Sequence, residues 1–136
     1  MIRCVRIWTG ADGNSVFEEG SIAMHAGEHD QHGGRGDVFS EVMQAASISW
    51  RETAAGDAFA PHNAPARQFV LTLSGTLEFC CASGATFIIH PGDMLLAEDT
   101  TGSGHSWRLI GDAPWRRAYV IVGEHAPTLF IKGEPA

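Results

Sequence analysis

Frequent turn signals are the feature that most constrains this chain. From residue 46 onward, short apolar runs alternate with clusters of Gly, Pro, Asp and Ser. Gln68-Phe69-Val70-Leu71-Thr72-Leu73 closes at Ser74-Gly75, and Leu77-Glu78-Phe79-Cys80 closes at Ala82-Ser83-Gly84. Thr86-Phe87-Ile88-Ile89 reaches Pro91-Gly92-Asp93, and Met94-Leu95-Leu96-Ala97 follows. A long loop over residues 98–104 leads into residues 105–109, and a turn at Gly111-Asp112-Ala113-Pro114 leads into residues 117–122. Strands that recur roughly every 8–12 residues between turn signals predict an all-β sandwich or barrel. A parallel α/β fold would need amphipathic helical stretches between the strands, and the pattern has none.

The residues ahead of this region are less regular. Val5-Arg6-Ile7-Trp8 predicts a strand, and Ser21-Ile22-Ala23-Met24 a second. Residues 25–36 are polar and glycine-rich and read as a loop. His25, His29 and His32 recur there at i, i+4 and i+7, but Gly27, Gly33 and Gly34 each cost a helix roughly 1 kcal/mol. Such a loop could serve as a lid over a barrel mouth. Val38, Phe39, Val42 and Met43 carry helical spacing behind Asp37, a residue suited to cap a helix, so a short helix or irregular arm is expected. Alternation in Ser47-Ile48-Ser49-Trp50-Arg51 predicts a half-buried strand. The organisation expected is one domain. Residues 1–45 supply N-terminal strands and a polar loop packing on the barrel, residues 46–125 form the barrel, and residues 126–136 are a tail.

Charge narrows the function classes. The 136 residues hold 9 Lys+Arg and 16 Asp+Glu, a net charge of −7. Nucleic acid and anionic membrane surfaces are poor partners for such a chain. The three cysteines, Cys4, Cys80 and Cys81, are an odd number with no metal-type spacing, which points to a reducing compartment. The opening MIRCVRIWTG has no long apolar core of a signal peptide, and no run is long enough to span a bilayer. A cytoplasmic protein is expected.

One constellation carries chemistry. Gly56 is followed after five residues by His62, with Ala64 two positions on, Gln68 four further, and Gly75 closing the run after six more. Pro91-Gly92-Asp93 and His105 lie downstream. In spacing this resembles the two motifs of the cupin superfamily, and especially its small bacterial single-domain members. The resemblance covers about residues 46–122 and implies a double-stranded β-helix, a jelly-roll barrel, here with an N-terminal arm and with ligands pointing into its lumen. Metal-holding cupins usually supply two histidines and a Glu from the first motif and a His from the second. Here His62 and His105 match, Ala64 stands where the second histidine would be, and Gln68 replaces the Glu.

Two functions follow from the resemblance, and both use one site. In the first, His62, Gln68 and His105 hold a divalent transition metal (Fe, Mn, Ni, Cu or Zn) in an enzyme of dioxygenase, isomerase or lyase type. In the second, the same residues form a buried hydrogen-bonding network in a metal-free module that binds or senses a small apolar or aromatic ligand. Strand parity places Val70 and Thr72 on the face of Gln68, sends Phe69, Leu71 and Leu73 outward, and turns Asn63 away from His62. Trp107 shares the face of His105 and is the tryptophan expected to wall the pocket. Trp50 is a second candidate, whereas Trp8 and Trp115 read as core. Glu98 and Asp99, in the loop before His105, are the candidate acid–base groups, against a plain reading as a solvated polar turn. Cys80 and Cys81 read as inert thiols on opposite faces. Several strands are apolar on both faces, so something must cover the outer one, and a two-fold homodimer is expected.

Overall fold

The computed structural model describes residues 1–26 and 36–133, and every regular element among them is a β-strand. In chain order these are β1 (Arg3–Thr9), β2 (Ser15–Ile22), β3 (His25–Ala26), β4 (Val38–Phe39), β5 (Ser47–Thr53), β6 (Ala58–His62) and β7 (Gln68–Ser74). They continue with β8 (Thr76–Cys81), β9 (Thr86–Ile89), β10 (Met94–Glu98), β11 (His105–Ile110), β12 (Trp115–Ile121) and β13 (Phe130–Lys132). Seven strands form one sheet in the order β13-β2-β1-β10-β7-β12-β5, and four form a second in the order β6-β11-β8-β9. The pair β3-β4 stands apart, and none of the three sheets closes into a barrel.

The two large sheets share one core. Val5, Ile7, Val70, Leu95 and Trp115 from the seven-stranded sheet meet Leu77, Phe79, Ile89, Trp107 and Leu109 from the four-stranded one. The Phe79 ring stacks on Phe87 at 5.2 Å between centroids and meets Trp115 edge-on at 6.2 Å. Burying an aromatic or aliphatic side chain of this size contributes about 1.5–3 kcal/mol. The sheets are therefore held face to face by alternate residues of the strands that the sequence marks as apolar.

The other alternate residues form a second cluster. Phe69 joins Cys4, Leu96 and Val122, with Leu71, Met43, Ala126 and Phe130 packed against them. This outer face is thus partly covered by the chain's own arm and by β13. Gly20 makes the second contact possible, since a Cβ there would run into the Phe130 ring and the Ile131 carbonyl.

Three expectations change, and one strand lies outside the sequence reading. Residues 38–43 are not helical: Val38 and Phe39 pair with Ala26 and His25, and Val42 is 91% exposed, so the apolar spacing there serves no single buried face. The N-terminal strands do not lie on top of a barrel. They sit inside the seven-stranded sheet, where β1 runs parallel to β10. Residues 130–132, expected as tail, pair with β2. Strand β6 escapes the pattern because Pro61 interrupts it, and it is tolerated because β6 is an edge strand. No helix among the described residues is long and apolar enough to cross a membrane.

Candidate functional site

Between the two sheets lies a cavity of about 620 Å³, lined by His62, Gln68, His105, Trp107, Trp115 and Arg117 among others. The antiparallel pairing of β6 with β11 sets His62 directly opposite His105, and the ladder shifts register just beyond, before Trp107. The two imidazole centroids are 4.9 Å apart. Gln68, at the start of β7, is buried and lines the same cavity; its backbone pairs with β10 and β12, and its side chain takes no hydrogen-bond partner among the described residues. The structure therefore brings together the three residues that the motif spacing singles out.

What orients them lies outside the motif. Asp99 is fully buried, and its Oδ2 accepts from His105 Nδ1 at 2.5 Å and from Ser15 Oγ at 2.7 Å. His62 Nδ1 lies 3.0 Å from the Ala60 carbonyl. Both partners are oxygen acceptors, so Nδ1 donates in each ring, and in the neutral imidazole Nε2 keeps its lone pair. Asp99 Oδ1 is buried with no partner among the described residues. The carboxylate thus concentrates its hydrogen bonding on one oxygen, shared by His105 and Ser15.

Burial pushes the His62 pKa below its ordinary value. The Ala60 carbonyl raises it in part, His105 lowers it further, and Asp99 raises it slightly. The folded protein therefore binds fewer protons at His62 than the unfolded chain does. Stability from the neutral ring is complete above the unfolded pKa of about 6.5 and is lost as pH falls below it. Melting temperature is expected to fall more steeply between pH 7.5 and 5.5 in the wild type than in His62→Gln. Equal slopes would count against a neutral, desolvated His62.

The remaining candidates divide clearly. Trp107 lines the cavity, stacked over Phe59 at 5.9 Å and edge-on to Trp115 at 4.8 Å. Thr72 acts one step back: its Oγ1 accepts from Trp115 Nε1 at 3.1 Å and so orients that ring. Trp50 does not join the site. Ser49, Arg51 and Thr53 of β5 line the cavity, so Trp50 points the other way and is 68% exposed. Glu98 is also outside the cavity, and pairs with Arg6 at 2.5 Å and Arg67 at 2.6 Å. Neither Glu98 nor Asp99 is a solvated turn residue; one ties strands together and the other holds His105. Asn63, which parity turns away from His62, is nonetheless among the residues lining the cavity, and its Nδ2 donates to the Thr101 and Gly102 carbonyls.

His25 is exposed and faces Glu41 at 3.3 Å, while His29 and His32 lie outside the described residues. Burial raises the Cys4 thiol to about 12 and the Cys81 thiol to about 11, so both stay protonated at neutral pH. Cys80 is half-buried on the opposite face from Cys81.

Motif reasoning misses Ser15, Arg117, Arg51 and Tyr119. Arg117 carried a readable signal. It shares strand parity with Trp115, Tyr119 and Ile121, and all four line the cavity. A charged residue on the inward face of an apolar strand is the informative kind of exception. As for metal donors, the cavity lining holds the imidazoles of His62 and His105, the amides of Asn63 and Gln68 and the Asp57 carboxylate, and no group of three or more His, Cys, Asp or Glu among the described residues is placed to hold an ion.

No protein-family model matches the sequence, and no curated protein matches it. Among solved structures, the chain is similar to a conserved protein of unknown function from Streptococcus pyogenes. The two share 20% sequence identity and a TM-score of 0.45 over 60% of this chain and 68% of that one.

Proposed function

We propose that this protein is a cupin-like binder of a small molecule, taken into the cavity between the sheets, with His62 and His105 as its polar end. One observation carries the reading: both Nδ1 atoms are held by oxygen acceptors in a cavity walled by aromatic rings. In its neutral form each ring then offers Nε2 as an acceptor toward a ligand hydroxyl or N–H. His105, backed by the buried Asp99 carboxylate, is the group suited to take a proton from such a ligand, because Asp99 stabilises the imidazolium that results.

The same tautomers favour a second reading, a metal-dependent enzyme. His62, His105 and the Gln68 carbonyl oxygen would hold a divalent transition metal (Fe, Mn, Ni, Cu or Zn), which supplies Lewis acidity or oxygen binding for dioxygenase, isomerase or lyase chemistry. Against it stand the loss of a carboxylate ligand, which removes charge neutralisation, and two arginines lining the same cavity. The metal-free reading is therefore the conclusion. The exposed Ile48 and Trp50 on β5 and Leu73 on β7, with β12 between the two strands, keep the homodimer within this proposal.

Elemental analysis of untagged protein, grown with each of the five metals, separates the readings. Stoichiometric metal that disappears in both His62→Ala and His105→Ala would establish the metal enzyme. The expected result is no bound metal, together with small-molecule shifts in melting temperature that His105→Ala removes. A broad ligand screen that never shifts the wild type would overturn the binding reading.

A further inference from the structure

The cavity contains a charge that the site described above does not use. Arg117 lies on β12 between β7 and β5, and is only 2% exposed. Its guanidinium sits 3.7 Å over the Trp115 ring centroid. Nε donates to Tyr119 Oη at 3.1 Å, and Nη1 donates to Thr53 Oγ1 at 2.6 Å and to the Trp115 carbonyl at 3.2 Å. All of these acceptors are neutral. Nη2 takes none among the described residues, and no carboxylate there comes within ion-pairing distance. By contrast, Arg3, Arg6, Arg67, Arg108 and Arg116 each pair with a Glu or Asp.

A buried cation without a counter-charge carries a desolvation penalty that nothing offsets. Burial accordingly pushes the Arg117 pKa down, and Arg51 lowers it further, against the raising effect of Tyr119. Holding β5 to β12 does not require a charge, since Thr53 and the Trp115 carbonyl would accept equally from a neutral donor. Arg51 adds a second guanidinium to the lining, 5.1 Å from the Tyr119 ring, also without an acidic partner among the described residues. Among the described residues, Asp57 is the one carboxylate in the lining, and its Oδ1 is taken by the Ala58 N–H. In a protein of net charge −7, the cavity has the opposite sign.

Between the guanidinium and the imidazoles runs an aromatic wall. Trp115 meets Phe79 at 6.2 Å, and Phe79 meets His105 at 5.8 Å. Trp107 and Phe59 continue it to His62, whose ring lies 4.3 Å from that of Phe59. The occupant must therefore be flat and apolar in its middle, anionic at one end and a hydrogen-bond donor at the other. We propose that the cavity binds a small aromatic carboxylate bearing a hydroxyl group, with its carboxylate on Arg117 and its hydroxyl donating to Nε2 of His62 or His105. This rests on the binding reading given above and names its ligand class.

The test compares para-hydroxyphenylacetate with its neutral amide, titrated against tryptophan fluorescence in the wild type, Arg117→Gln, Arg51→Gln and Trp107→Ala. The acid is expected to bind at least tenfold more tightly than the amide, about 1.4 kcal/mol. Arg117→Gln is expected to erase that preference, lowering affinity for the acid at least tenfold more than affinity for the amide. A purely structural arginine would weaken acid and amide together, and that result would overturn the inference. Should Arg117→Gln fail to fold, Arg51→Gln is expected to reduce the acid preference of a protein that still binds the amide, and an unchanged preference there would overturn the inference. Equal wild-type affinity for acid and amide, abolished by Trp107→Ala, would overturn the anion and leave the pocket standing. No response to either compound at millimolar concentration would overturn this ligand class, with the pocket reading judged by its own melting-shift screen.

Discussion

Asp99→Ala is expected to be among the most damaging single changes in this protein, costing about 3–5 kcal/mol of stability. The carboxylate is fully buried and accepts from both His105 and Ser15. Truncation leaves the imidazole N–H and the serine hydroxyl without their acceptor in a site that water does not freely enter, and it opens a small cavity as well. Asp99→Asn separates stability from function. It keeps the volume and one acceptor oxygen, so it is expected to fold, but it removes the negative charge behind His105. Ligand or metal binding through His105 Nε2 is expected to fall by about 10–100-fold, as it does when the outer partner of a ligating histidine is lost. Urea denaturation of both variants and ligand titration of the Asn variant are the measurements. An Asp99→Ala protein as stable as wild type would refute the buried pair, and an Asp99→Asn protein with full affinity would refute its role in the site.

Gly104→Ala is expected to cost about 2–5 kcal/mol, combining backbone strain with overpacking. Gly104 adopts φ +72°, and a Cβ there would run into the carbonyl of His62. Glycine at this position lets the strand carrying His105 approach the one carrying His62, which is how the two imidazoles come to face each other. The displaced His62 should also weaken ligand binding. Gly84→Ala is the control. Gly84 has φ +88° at the β8–β9 turn but open space around its Cβ position, so only the conformational cost of about 1 kcal/mol applies. Chemical denaturation of the two variants should therefore differ by more than their shared strain. Equal losses would mean that contact with His62 is not what requires glycine at position 104.

These two positions also mark how far the sequence could be read. His62, Gln68 and His105 were legible as a cluster because motif spacing and strand parity agreed. Parity also sorted Phe69 and Leu71 from Gln68 and Val70, since side chains alternate along any strand whatever its partners. Asp99 was legible as an acid near His105 but not as its partner. That role depends on Ser15, 84 residues away, and on a buried position that no local pattern reports. Trp50 shows the complementary limit. Alternation in β5 separates Ser49 and Arg51 from Ile48 and Trp50, but it does not say which set faces the cavity, and here Trp50 faces outward.

By itself the sequence determined that the chain is built of short strands, where most of them turn, and which residues share a face, because these follow from backbone geometry and local apolar periodicity. Only the tertiary structure decided that β1 joins β10 in parallel, that β13 closes over Gly20, and that no sheet rolls into a barrel. It also decided the charge of the cavity. A guanidinium in an apolar strand and a carboxylate after another are local facts, but their burial, and whether they meet, depends on contacts between residues far apart in the chain. Asp99 found His105; Arg117 found only neutral acceptors among the described residues.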